Sequence, residues 1–285
     1  MQDRLLPEQN AHPFLQRAQG TFSIGVRNDT HGRTALNALR QQGCSRVLIP
    51  RRPPGTLEAI LVNISGGIAA GDRLSGQITC DADSHLVITT QAAERFYRAR
   101  KGEDAARIHV DCTLAPGARL DWLPHESIFF DNSAAHRTLA IRMAGSATAL
   151  VSECRVFGRS ASGERTEQLR LRDVIRIERD GIPVMIDAFL TEGPFDAALN
   201  RDSVAAGRTI MHTILYAAPD AASWLEPLRE TCTSTSEDVE CAVSAWNGLL
   251  VARILSARSR PATSLARRLL ARLRPDSPEP ATWRW

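Results

Sequence analysis

Only one of the 35 lysines and arginines in this 285-residue chain is a lysine, Lys101. Chemistry that needs a lysine, such as a Schiff base or a phosphate-loop contact, would rest on that residue alone. Its setting, ARKGEDA, reads as a solvated charged turn. Aromatic residues are equally scarce at 5%, and with a net charge of +3 and no basic block interleaved with aromatics before the C-terminus, nucleic-acid binding is not expected. No apolar run approaches the ~18 residues a membrane helix needs. The opening MQDRLLPEQN has no apolar signal-peptide core, so a cytoplasmic protein without membrane association is expected. The six cysteines (Cys44, Cys80, Cys112, Cys154, Cys232, Cys241) form no CxxC pair and read as small buried hydrophobes, neither disulfides nor a zinc site. What remains is an ordinary globular composition, large enough for one sizeable core.

The densest punctuation lies in residues 61–76, LVNISGGIAAGDRLSG, which follow the apolar Ala59 and Ile60. Gly66, Gly67 and Gly71 mark a turn that a side-chain-bearing residue follows only with difficulty. A phosphate loop would need G-x-x-x-x-G-K-[ST], but Asp72 and Arg73 follow Gly71, so an acid would face the phosphates. The dinucleotide fingerprint also fails, because Gly66 and Gly67 are adjacent and no amphipathic helix follows. Asp72 has two readings: an acid on a rigid turn that touches a passing cation, or a cap bonding its own turn amides.

Two further segments carry candidate chemistry. Residues 121–131, DWLPHESIFFD, hold His125 and Glu126, which point to opposite faces if the stretch is a strand. Glu126 is read as half of an ion pair with an arginine, or as an acidic lining. Residues 153–164, ECRVFGRSASGE, place Gly158 and Gly163 around a tight loop that Arg159 and Glu164 bridge. The G-x-S-x-G elbow of a hydrolase is absent. An acid–base enzyme using Asp72, His125 and Glu126 is the alternative to a binding or scaffold role, and Glu153 joins Asp72 and Glu126 as a candidate for transient cation contact.

Period-two alternation dominates the rest and predicts half-buried strands. Ile108, Val110, Cys112 and Leu114 share one face; so do Leu139, Ile141 and Met143, and Val239, Cys241 and Val243. Asp180-Gly181 and Asn247-Gly248 predict hairpins. Residues 223–231 predict a short helix limited by Pro227, and residues 263–274 a longer one, followed by an extended proline-rich tail. The fold expected is mainly β, one domain over residues 1–262 of stacked, largely antiparallel sheets. The helix and tail of residues 263–285 would pack on it or on a partner. Arg267, Arg268, Leu269, Leu273, Trp283 and Trp285 are candidates for a partner-docking surface.

Taken in order, several blocks resemble one family. Asn63-x-x-Gly66-Gly67 through Gly71-Asp72-Arg73-Leu74, then TTQAA with Tyr97-Arg98, LPHESIF, FGRSASGE and the closing proline-plus-tryptophan tail are similar to the urease accessory protein UreD (UreH) family. Ser65, Ala69 and Ala70 stand where that family usually has a denser glycine run. The resemblance implies a non-enzymatic maturation factor that binds apo-urease with UreF and the GTPase UreG and helps nickel reach the active site. It implies no tightly bound cofactor, only nickel in passing.

Overall fold

The computed structural model describes residues 16–51, 56–159, 163–233 and 238–283. The chain opens with β1 (Gln19–Asn28), β2 (Thr34–Gly43), β3 (Ser45–Leu48) and β4 (Leu57–Asn63). Then come β5 (Arg73–Cys80), β6 (His85–Thr90), β7 (Glu94–Phe96), β8 (Ala106–Leu114), β9 (Arg119–Trp122) and β10 (Ser127–Phe129). The long strands β11 (Ser133–Met143), β12 (Thr148–Phe157), β13 (Gln168–Arg179) and β14 (Ile182–Pro194) follow. After the short α1 (Asp196–Leu199) come β15 (Ile210–Ala217), α2 (Leu225–Thr233), β16 (Val239–Trp246), β17 (Leu249–Ser256) and α3 (Ser259–Leu273). The fold is mainly β.

These strands make two sheets. One has seven strands in the order β14-β13-β11-β8-β5-β1-β2; the other has ten, ordered β16-β17-β15-β12-β9-β6-β4-β3, with β10 and β7 attached beside β12. The sheets are mixed, where a largely antiparallel arrangement was expected. Between β4 and β13 the main strands alternate between the two sheets, so β5, β8, β11 and β13 run parallel in one, and β4, β6, β9 and β12 parallel in the other. A parallel pair needs a long crossover, usually a helix. Here the crossover is a strand of the opposite sheet, which is why so few helices are needed.

Inward faces of the two sheets form the main core, with Ile24, Ile78, Cys112 and Ile141 against Leu86, Leu120 and Val151. A second core lies on the far side of the ten-stranded sheet. There α3 buries Ala262, Leu265, Ala266, Leu269, Leu270 and Leu273 with Ile214, Leu250 and Ile254. Both predicted hairpins form, with Asp180, Gly181, Asn247 and Gly248 all at positive φ. Pro227 falls in the first turn of α2, where its missing N–H costs nothing, so it opens that helix instead of limiting it.

Three expectations are corrected at the C-terminal end. Helix α3 starts at Ser259, with Pro261 in its first turn, ahead of the predicted position 263. Cys232 on α2 and Cys241 on β16 pair as a disulfide, Cα atoms 5.7 Å apart, because α2 packs against β16; spacing alone did not reveal it. The other cysteines stay free, and burial pushes the Cys80 thiol up to about 12. Finally, the proline-rich tail is not simply extended. It closes on a helical turn, Ala281–Trp283, whose Ala281 N–H donates to the Glu58 carboxylate at 2.8 Å. Among the described residues no helix is long and apolar enough to cross a membrane.

Candidate functional site

The glycine-rich turn is built by the side chain that ends β4. Asn63 Oδ1 accepts from the Ser65 amide at 3.0 Å, and its Nδ2 donates to the Gly67 carbonyl at 3.2 Å. Gly66, Gly67, Gly71, Gly158 and Gly163 all have positive φ. At Gly67 the requirement is also spatial: a Cβ there would lie 2.4 Å from the Tyr97 ring, whose hydroxyl donates to the Gly66 carbonyl at 2.8 Å. Asp72 is buried and closes the segment. Its Oδ1 accepts from the Ala18 amide and its Oδ2 from the Ala69 amide, each at 2.8 Å. This is the capping arrangement, with both oxygens turned to backbone.

A cavity of about 260 Å³ opens between the sheets next to this turn. Phe22, Leu61, Leu74, Ile108 and Trp122 make its apolar wall, and Asn63, Glu94, His125, Arg137 and Glu153 its polar side. Asp72 and Glu126 are not on its lining. Glu94 accepts from Asn63 Nδ2 at 3.2 Å, and burial pushes its carboxyl up against that hydrogen bond and the Arg137 charge.

Behind the cavity the two sheets are joined by buried charge. Arg137 donates through Nη2 to Glu153 at 2.8 Å and through Nη1 to Asp173 at 3.0 Å. Arg155 Nε donates to the same Asp173 oxygen at 2.6 Å, and Trp122 Nε1 to the other Glu153 oxygen at 2.8 Å. Burial opposes the Arg137 charge, but Asp173 and Glu153 outweigh it and raise its pKa. Glu153 is therefore an ion-pair member held by two donors.

The remaining candidates are scattered. Leu123–Glu126 is irregular, not a strand, and His125 Nδ1 lies 4.0 Å from Glu126 Oε2, so the two side chains do not point to opposite faces. Glu126 is half-exposed and, among the described residues, pairs with this histidine and not with an arginine. Arg159 and Glu164 do pair across their loop. Among the described residues, no group of three His, Cys, Asp or Glu side chains is placed to hold a metal ion.

Helix α3 also differs from its reading as a docking surface. Leu269 and Leu273 are fully buried in this chain's own core. Arg267 donates to the Trp283 carbonyl, and Trp283 packs 6.2 Å from His125, ring centre to ring centre. Arg268 is exposed, with its guanidinium 3.5 Å from the Thr231 carbonyl oxygen. Trp285 lies outside the described residues.

One buried titratable group near this network gives a clear pH prediction. His212 Nε2 lies 2.7 Å from Ser152 Oγ, and burial together with the Arg155 charge lowers its pKa to about 4. Unfolded, it would titrate near 6.5, so between those values the unfolded chain binds more protons. Stability from this residue is complete above about pH 6.5 and falls by roughly 3 kcal/mol as pH drops to about 4. Urea midpoints measured across that range should show the loss, and His212→Gln should flatten it. An unchanged profile in the variant would refute the assignment.

Comparison with known proteins matches nearly the whole chain. A profile of the family described as UreD urease accessory protein matches residues 18–284. A urease accessory protein UreD from Dinoroseobacter shibae is 36% identical over 271 residues, 95% of this chain and 94% of its own length. One from Azorhizobium caulinodans is 39% identical over 244 residues, 86% of this chain and 88% of its own. A Methylobacterium protein of the same name is 36% identical across 95% of this chain and 96% of its own. The turn that Asn63, Gly67 and Asp72 build thus sits in a full-length match, and the chain belongs to the UreD family of urease accessory proteins.

Proposed function

We propose that this protein is a non-enzymatic scaffold of urease maturation. It binds apo-urease together with UreF and the GTPase UreG in the cytoplasm, and assists insertion of nickel into the urease active site. The observation that carries the proposal is the family match across nearly the whole chain, 18–284. A role in urease maturation follows from the family; the partners, the metal and the compartment are the proposal. Assigning GTP hydrolysis to a partner agrees with Asp72 and Arg73 standing where a phosphate loop needs lysine.

In this reading Asp72 and Glu153 hold the fold, and nickel passes as cargo without a resident site. The acid–base alternative draws little support from the geometry, because both Asp72 oxygens face amides and only His125 of the three lines the cavity. Deleting the protein should leave urease at normal abundance but without nickel and inactive. Metal content and activity of urease purified from the deletion strain test this, and nickel-loaded, active urease would end the proposal.

A further inference from the structure

The outer face of the seven-stranded sheet carries an arrangement that the maturation role does not use. In one register row across four adjacent strands stand Arg73 on β5, Arg107 on β8, His136 on β11 and Arg172 on β13. All four are exposed. At the ~4.8 Å strand spacing, this lines up basic groups directly opposite one another, which costs stability in a sheet. Among the described residues none of the three arginines in the row makes an ion pair, whereas arginines elsewhere on the surface do. Partial burial, and after it the charges of Arg107, Arg170 and Arg172, lower the His136 pKa, against an opposing contribution from Glu192 on β14. The nearby Asp111 is already engaged by His109 and Arg142.

The row leads into apolar surface. Arg172 is paired in register with Leu190 on the edge strand β14, and Ile186 lies on the same face four residues earlier, both more than half exposed. The next row holds only small or neutral groups at its centre, Thr138, Val174 and Ala188, so a shallow trough runs beside the arginines.

We propose that this face docks an acidic amphipathic helix of a partner protein, laid across the strands with its carboxylates on the basic row and its apolar flank on Leu190 and Ile186. Three observations favour that occupant. Carboxylates every three or four residues on a helix are spaced about 5 Å apart, close to the strand spacing, whereas alternate residues of an extended chain are ~6.7 Å apart. Arginine forks suit carboxylates in bidentate pairs. A nucleic acid or a lipid headgroup layer would leave the aliphatic stripe against phosphate, and the row offers no aromatic ring for base stacking.

The proposal stands apart from the nickel reading and is tested without urease. The probe is a fluorescein-labelled helical peptide of about 20 residues with glutamates on one face and leucines beside them; a second peptide of identical composition scatters the glutamates around the helix. The full chain should bind the first at least about tenfold more tightly than the second, and salt should weaken the binding. Arg107→Glu with Arg172→Glu should weaken it by about tenfold or more while leaving the melting temperature unchanged or raised, since like-charge opposition is relieved. Arg107→Gln with Arg172→Gln serves if the reversal does not fold. No saturable binding, equal binding of both peptides, no loss in the variants, or tighter binding of single-stranded RNA or anionic vesicles overturns the proposal.

Discussion

Truncation after Arg260 is expected to leave no cooperatively folded protein. Removing α3 strips Leu265, Leu269, Leu270 and Leu273 from the outer core of the ten-stranded sheet. Each fully buried leucine contributes about 1.5–3 kcal/mol, so the set amounts to roughly 6–12 kcal/mol, comparable with the ~5–15 kcal/mol that holds a typical domain together. The cut also removes Arg274, whose Nε donates to the buried Asp121 at 2.8 Å. Burial opposes ionisation of that carboxyl, but a His85 hydrogen bond and the charges of Arg119, His85 and Arg274 hold it well below the usual range. Losing one arginine would weaken the compensation of a buried charge. Circular dichroism and limited proteolysis of the truncated chain check the expectation; a sharp unfolding transition at the full-length midpoint would contradict it. The milder Leu269→Ala should cost about 2–5 kcal/mol and remain measurable by urea titration. Any partner that meets this end of the molecule meets the exposed back of α3, not its leucines.

How much of this was legible depended on what a period can encode. Alternation at Ile108–Leu114 and Leu139–Met143 identifies strands and their buried faces, and Asn247-Gly248 identifies a hairpin, because these are local properties. Strand direction is not local. Two strands on one face look the same whether they pair parallel or antiparallel, and the winding of β4 to β13 between sheets depends on where each crossover lands. The same phase carried information about the site that motifs did not. Counting back by twos from Leu139 places Arg137 on the inward face, and counting back from Ile175 places Asp173 there. An inward charge needs a partner. The family-like blocks drew attention to Asp72 and Glu126, whereas the cavity is organised by Asn63, Glu94 and Arg137. The basic row was hidden for the opposite reason, since Arg73, Arg107, His136 and Arg172 are far apart in sequence and meet only through register.

Replacing Arg137 by methionine is expected to destabilise the protein by about 3–5 kcal/mol, more than deleting either of its acids. The reason is asymmetry. Arg137 is the shared partner of Glu153 and Asp173, both almost fully buried. Without it, Glu153 keeps only the Trp122 N–H and Asp173 only Arg155 among the described contacts. Glu94, already pushed toward its neutral form by burial, loses the charge that most favours its ionisation. Two carboxylates would then be forced to stay charged in a poorly solvated site or to take up protons. The loss caused by Arg137→Met, measured against the parent at the same pH, should therefore shrink as pH falls from neutral toward 5, opposite in sign to the loss that His212 imposes on both chains. Adding Glu153→Gln to Arg137→Met should recover a large part of the loss, because the uncompensated charge is removed with its partner. Urea midpoints for the parent, both single variants and the double, at two pH values, separate this account from a simple packing defect. A packing defect would make the two losses additive and leave them independent of pH; charge compensation would make them strongly non-additive, with the double variant more stable than Arg137→Met alone.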